Sequence, residues 1–220
     1  MASARKNRAE VVEQLLIAGA DPKIKDAQGS TALHFAALGS SPVSVGLLTK
    51  KGATVEIKDG FDLTPLMLAV RFANLETVRA LIKAGASIDT ADPNGWTAVH
   101  FAVTRGDSEI VEILLNKNPT LDQLDADGDS ILKLALTYRQ PLLFKRLMDA
   151  EAPLDPVDSE GNTLVHLAIK NRQSEVVKWL IEAKAATDSK NDRGQTPLDL
   201  AKELKDTQII SLLEGMKKQP

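Results

Sequence analysis

Cysteine is absent from the 220 residues of this sequence. The chain therefore has no disulfide framework, no thiolate nucleophile and no cysteine-based zinc site. A cysteine-free chain fits a reducing compartment, so we expect an intracellular, cytoplasmic protein. Long apolar runs are also missing. No stretch approaches the roughly 18 residues that a membrane-spanning helix requires, and we expect no membrane insertion.

An excess of charge of one sign is missing as well. The 27 basic and 30 acidic residues leave a formal net charge of −3. A nucleic-acid-binding or anionic-membrane-binding surface needs a strong basic field, so we expect no nucleic-acid partner. Aromatic residues make up only 4% of the chain, whereas 43% is apolar. The core must therefore be built mainly from Leu, Ile, Val and Ala.

The sequence offers no convergent set of catalytic or metal-binding residues. Its three histidines are evenly and widely spaced, at positions 34, 100 and 166. The acidic segment 125–129 hints at a calcium loop, but Gln123 and Leu134 occupy the two end positions where an EF-hand needs carboxylates. We therefore expect no catalytic residue, no metal and no cofactor.

One stretch of the chain, residues 92–124, is repeated along its length. It begins with the turn signal Asp92-Pro93-Asn94-Gly95, and Thr97 follows as a candidate helix N-cap. Apolar residues at helical spacing then predict two short helices separated by Gly106. Such a unit cannot bury its apolar face alone and must stack on copies of itself. The same opening returns every 33 residues, at Asp26, Asp59, Asp92, Asp125, Asp158 and Asn191.

A second motif recurs where each first helix begins. The segments Thr31-Ala32-Leu33-His34-Phe35-Ala36 and Thr97-Ala98-Val99-His100-Phe101-Ala102, with the shorter Thr64-Pro65-Leu66 and Thr196-Pro197-Leu198, resemble the Thr-Pro-Leu-His-x-Ala signature of ankyrin repeats. The Gly-Ala pairs that begin at Gly19, Gly52 and Gly85 resemble the family's helix end. The resemblance covers nearly the whole chain. It implies an all-α ankyrin-repeat solenoid of helix–turn–helix units with short β-hairpin tips.

In this register, residues 1–220 form a single ankyrin-repeat domain. Residues 1–25 are a partial first repeat, whose first helix is missing or reduced to a stub, and residues 191–220 are a C-terminal capping repeat. We expect the chain to be cut from a longer protein. A natural protein with a minimal N-terminal cap is the alternative. The full repeats are 26–58, 59–91, 92–124, 125–157 and 158–190.

The resemblance also implies a non-catalytic protein–protein interaction module. In ankyrin domains, the tips and first helices line a concave groove that contacts partners. By register, four of the eight aromatic residues of this chain fall on the groove positions that the resemblance implies. Aromatic and Arg side chains are typical of interface hot spots. We therefore expect the partner-binding residues to be Phe61, Leu63, Arg71, Phe72, Trp96, Arg105 and Tyr138. The alternative is that adjacent tips cover these side chains, which then serve local packing.

We expect a monomer that binds another protein or peptide. Two other functions stay open. The chain could be the substrate-docking or regulatory arm of a larger enzyme, channel or effector protein. It could also act by itself as an enzyme or small-molecule binder, although the lack of a convergent polar set argues against this.

The repeats lose a characteristic glycine towards the C-terminus. Asn118, Glu151 and Lys184 occupy the helix-end position that Gly19, Gly52 and Gly85 hold earlier. Glu and Lys are strained in the left-handed conformation that this position requires. The segment 130–133 also departs from the signature. We therefore predict that residues 125–190 open more readily than residues 26–118.

Overall fold

Each repeat opens with a turn that one side chain organises. In the computed structural model of the chain, Asp59 Oδ1 accepts hydrogen bonds from the backbone N–H groups of Phe61 and Leu63, at 2.9 and 3.0 Å. The Asp59 N–H donates in turn to the Leu63 carbonyl at 3.1 Å. The carboxylate thus satisfies backbone donors that a short turn would leave unpaired. The same pair of bonds is accepted by Asp26, Asp92, Asp125, Asp158 and Asn191.

The structure describes residues 1–154 and 156–216, with the backbone alone for Met216. The tail of the expected capping repeat, residues 217–220, lies outside the described residues. By its internal packing the chain divides into two units, Met1–Thr120 and the residues from Leu121 onward.

The first unit is a stack of four helix pairs. First helices pack on first helices, and second helices pack on second helices. Side-chain caps start several of them: Thr64 Oγ1, for example, accepts the Met67 N–H at 3.3 Å. The helices are α1 (Ala2–Arg5), α2 (Ala9–Ile17), α3 (Ala32–Leu38), α4 (Pro42–Lys50), α5 (Pro65–Arg71), α6 (Leu75–Lys83), α7 (Ala98–Arg105) and α8 (Ser108–Leu115).

The second unit repeats this arrangement with three helix pairs. Its first helices again pack on one another, as do its second helices. The helices are α9 (Ile131–Thr137), α10 (Pro141–Asp149), α11 (Leu164–Lys170), α12 (Ser174–Glu182), α13 (Pro197–Glu203) and α14 (Thr207–Met216). Apolar residues at the 33-residue spacing fill both cores. Leu48, Leu81 and Leu114 are buried in the first unit, and Leu147, Leu180 and Leu213 in the second.

A residue just after the end of the second helix adopts the left-handed backbone conformation, whether or not it is glycine. Gly52 has φ of 85°, and the equivalent Asn118, Glu151 and Lys184 have φ of 51°, 62° and 59°. The backbone of the repeat therefore overrides the residue preference, and the Glu and Lys side chains carry the strain. A second left-handed position joins the two helices of each pair and also recurs every 33 residues, at Asn7, Ser40, Ala73, Gly106, Arg139, Arg172 and Lys205.

The tips are turns rather than paired strands. Within the described residues, the only β-pairing is an isolated antiparallel bridge between Leu124 and Ser130. The expected β-hairpins are thus reduced to the side-chain-organised turn and the two backbone hydrogen bonds that close it. The reason is length, because only a few residues lie between the turn and the next helix N-cap.

Candidate functional site

The histidines serve the local structure of the first helices. His34 Nδ1 accepts the Thr31 N–H at 3.1 Å, so the ring proton resides on Nε2, which lies 3.2 Å from the Leu63 carbonyl of the next repeat. His166 makes the same bonds to Thr163 and to the Gln195 carbonyl. Burial lowers the pKa of both imidazoles, because it disfavours the charged ring. These groups are held neutral and link neighbouring repeats.

Other side chains fill the histidine position in the remaining repeats. Met67 occupies it in the second full repeat, and its sulfur lies 3.4 Å from the Thr64 N–H. Lys133 occupies it in the fourth, where it forms an ion pair with Asp129. Asp199 occupies it in the last, where its carboxylate accepts bonds from the Thr196 N–H and hydroxyl. Each substitute makes its own contact at the helix start, so this position stabilises the repeat in different ways.

Phe61 is the most exposed of the four aromatic residues predicted to bind a partner. The tips of the first two full repeats approach so closely that the Gly60 N–H donates to the Gln28 carbonyl at 2.7 Å. A Cβ at Gly60 would lie 2.7 Å from that same oxygen, so only glycine fits. The next residue, Phe61, projects with 72% of its surface exposed. The tip is therefore rigidly held while its aromatic ring stays in solvent.

Arg71 and Phe72 lie at the other end of helix α5. Phe72 is the C-terminal cap residue and is 53% exposed, and Arg71 is exposed beside it. The guanidinium of Arg105, also exposed, donates through Nη1 to the Arg71 carbonyl at 3.0 Å. Seven helical residues separate Phe72 from the tip side of α5, a length of about 10 Å. Two phenylalanines and two arginines thus border one helix.

Leu63 and Trp96 are less exposed than residues that contact a partner are expected to be. Leu63 is 6% exposed and belongs to the core, so it presents almost no surface for the partner contact predicted from sequence. Trp96, its equivalent one repeat later, is half-buried. Its ring meets the Phe101 ring edge-on, with 5.3 Å between centroids, and lies 6.5 Å from the His100 ring. Trp96 therefore packs against α7 of its own repeat, and Leu63 packs in the core.

Tyr138 belongs to the second unit, where it is the C-terminal cap residue of α9 and is exposed. Its position in the repeat is that of Phe72 and Arg105.

The described residues contain no cluster of three or more His, Asp or Glu side chains arranged to hold a metal ion. Nor does any described helix combine the length and apolarity needed to cross a bilayer.

Sequence-family and structural comparisons agree with this architecture. A family model described as ankyrin repeats (3 copies) matches residues 1–92 and 74–154, and one described as ankyrin repeats (many copies) matches residues 147–201. No curated protein sequence matches the chain significantly.

Two solved structures illustrate the similarity. The ankyrin repeat domain of Bcl-3, described as a unique member of the IkappaB protein family, has a TM-score of 0.85 at 24% identity, covering 97% of this chain and 96% of that one. The human ASB11 ankyrin repeat domain has a TM-score of 0.79 at 25% identity, covering 100% and 97%. Ankyrin repeat domains are generally protein–protein interaction modules. The chain belongs to the ankyrin repeat family.

Proposed function

We propose that the protein binds a partner protein or peptide through the surface formed by Phe61, Arg71, Phe72 and Arg105, called here the α5 surface. The observation that carries the proposal is the exposure of two phenylalanines at opposite ends of one short helix. Phe61 follows a glycine that fixes its tip, and Phe72 lies at a helix end. Rigid exposed aromatics reduce the ordering cost of binding.

The two arginines favour acidic groups beside an apolar anchor in the partner. A guanidinium has five N–H donors in a planar fork. The Nη1 bond to the Arg71 carbonyl positions the Arg105 fork next to Phe72 and leaves it further donors for a carboxylate. We therefore propose a partner segment in which one aromatic or aliphatic side chain lies close to Asp or Glu. This recognition is non-catalytic, and a cytoplasmic location stays a prediction from composition.

Selection of displayed peptides on the immobilised chain tests the proposal. Peptides that bind should be enriched in an apolar residue with neighbouring Asp or Glu. The dissociation constant of a selected peptide is then measured for the natural chain and for Phe61→Ala/Phe72→Ala. Truncating a hot spot costs about 2 kcal/mol, so binding should weaken roughly 30-fold.

Val43→Ala is the matched control. Val43 is also an exposed apolar residue of the first unit, but it lies at the start of a second helix. This substitution should leave the dissociation constant unchanged. If Val43→Ala weakens binding as much as the double variant, or if the double variant binds normally while folded, the α5 surface is not the binding site.

A further inference from the structure

Three cations occupy the inter-helix turns of the second unit and are called here the cation row. Arg139, Arg172 and Lys205 each lie between the two helices of a pair, 33 residues apart, and all three are exposed. Adjacent helix layers lie about 10 Å apart, so the row spans about 20 Å. In the first unit, uncharged residues hold the same position: Asn7, Ser40, Ala73 and Gly106.

The backbone holds the cation row in a strained but fixed geometry. The φ angles of Arg139, Arg172 and Lys205 are 52°, 54° and 54°, in the left-handed region that long side chains disfavour. The N–H of each donates to the carbonyl three residues earlier, at 3.1, 2.9 and 3.1 Å. The helix dipoles do not explain a cation here, because each turn joins a helix C-terminus, which attracts cations, to a helix N-terminus, which repels them. Strained residues of this kind cluster at functional positions.

The charges of the cation row are not neutralised within the second unit. Asp206, the neighbour of Lys205, accepts the Ile209 N–H at the start of α14, at 3.1 Å. Within the described residues, no ion pair joins Arg172 to Glu175 in the first turn of α12. The ion pairs of this unit instead use other cations, namely Lys133, Lys145, Lys170, Lys178 and Lys202. The row therefore keeps its hydrogen-bond donors for an external anion.

Exposed apolar side chains border the cation row at Arg139. Tyr138 is the C-terminal cap residue of α9 and is 47% exposed, and Leu142 in the first turn of α10 is 73% exposed. The equivalents of Leu142 in the other two pairs of the unit are Glu175 and Gln208. Helix N-termini favour acidic side chains, so a leucine at this position departs from the local preference. One end of the row thus presents an aromatic and an aliphatic side chain.

We propose that the cation row binds an acidic segment of a partner protein in the polyproline-II conformation. A polyproline-II helix has three residues per turn and rises about 9 Å per turn. Glu or Asp at every third residue therefore projects from one side at nearly the spacing of the cations. A β-strand does not fit, because residues three apart point to opposite sides. The exposed ring of Tyr138 favours polyproline II over an α-helix, because proline-rich segments dock on aromatic side chains.

The charge of the second unit favours such a segment over a nucleic acid. Residues 121–220 carry 17 acidic and 14 basic residues, so the surface beyond the row is on balance negative. A nucleic acid has a phosphate at every nucleotide and would meet this negative field. A peptide with one carboxylate per turn meets the cations alone. The planar guanidinium groups of Arg139 and Arg172 match the geometry of a carboxylate.

Fluorescence anisotropy with the full chain and a labelled Glu-Pro-Pro repeat peptide tests the proposal. The peptide should bind the natural chain, and binding should weaken as salt rises, because exposed charges are screened. A peptide of the same composition with its Glu residues adjacent at one end should bind about tenfold more weakly.

Substitution by asparagine tests the cation row itself. Asn tolerates the left-handed conformation, and Asn7 holds the equivalent position in the first repeat, so these variants should fold. Arg172→Asn alone should weaken binding of the Glu-Pro-Pro peptide about threefold, and Arg139→Asn/Arg172→Asn/Lys205→Asn about tenfold or more.

Lys50→Gln/Lys83→Gln/Lys117→Gln is the matched control, because it removes three exposed cations from the first unit and changes the net charge equally. It should bind the peptide normally. Phe61→Ala/Phe72→Ala should also bind normally, which separates the cation row from the α5 surface. The proposal is overturned if the natural chain does not bind the peptide, or if the asparagine variants bind like the natural chain. It is also overturned if the lysine control weakens binding equally, or if a helical peptide with Glu at every seventh residue or a single-stranded oligonucleotide binds more tightly.

Discussion

The buried hydroxyl group of Thr77 is expected to lower the stability of its repeat. Within the described part of the chain, Thr77 Oγ1 has no hydrogen-bond partner, and the residue is buried in α6. The equivalent residue one repeat later, Ile110, is apolar and buried. A buried polar group without a partner costs about 1–3 kcal/mol. Thr77→Val keeps the shape and removes the hydroxyl, so the free energy of unfolding in urea should rise by about 1 kcal/mol.

Thr64→Val is the contrasting substitution, because Thr64 Oγ1 accepts the Met67 N–H at the start of α5. Loss of this cap should lower the free energy of unfolding by about 1 kcal/mol. A decrease for Thr77→Val as well would mean that its hydroxyl is satisfied in solution.

The buried histidine side chains make the free energy of unfolding depend on pH. Burial holds the pKa of His34 below its ordinary value of 6.5 in the folded chain, whereas the unfolded chain regains that value. As the pH falls through about 6.5 the unfolded state therefore binds more protons, and the folded state loses stability. This contribution is fully present above that pH. Urea denaturation at several pH values between neutrality and mild acidity should show the free energy of unfolding falling with pH.

His34→Met is the control, because the next repeat carries Met67 at the same position. The variant should lose about 1 kcal/mol at neutral pH with the bond to the Leu63 carbonyl. It should also show a weaker dependence on pH. His166 then supplies part of the remaining dependence, since burial lowers its pKa too. An unchanged pH dependence in His34→Met would contradict the assignment.

At the scale of the element, replacing the strained residues at helix ends should raise the free energy of unfolding. Glu151 and Lys184 have positive φ where earlier repeats have glycine. Replacing each by glycine removes a strain of about 1–2 kcal/mol, partly offset by the greater freedom of glycine in the unfolded chain. Glu151→Gly and Lys184→Gly should therefore each raise the free energy of unfolding of the second unit by about 1 kcal/mol or less.

Gly52→Ala is the reverse substitution in the first unit. A Cβ at Gly52 would meet no atom within 4 Å, so only the positive φ opposes it. Stability should fall by about 1 kcal/mol. If Gly52→Ala has no effect, left-handed strain does not limit this fold, and the gain from Glu151→Gly would need another cause.

Across the whole molecule, the parts that could be predicted from sequence are those fixed by local chemistry. The turn at Asp59 and the cap at Thr64 depend on neighbours within a few residues, so the 33-residue period located both. The candidate surface was harder, because Leu63 and Trp96 share one register position yet differ in burial. Their exposure depends on how closely neighbouring tips approach, which no local pattern contains.

Resistance to local opening is expected to differ along the chain. At the end of the second helix, residues 125–190 have Glu151 and Lys184 in the left-handed position that Gly52 and Gly85 hold in the first unit. Each lowers the free energy needed to open its helix pair. Amide hydrogen exchange followed by mass spectrometry should therefore show faster exchange in α9–α12 than in α3–α8. The combined Glu151→Gly/Lys184→Gly variant should narrow this difference in exchange rate. Equal or slower exchange in residues 125–190 of the natural chain would contradict the prediction, because backbone strain would then have no effect on local opening.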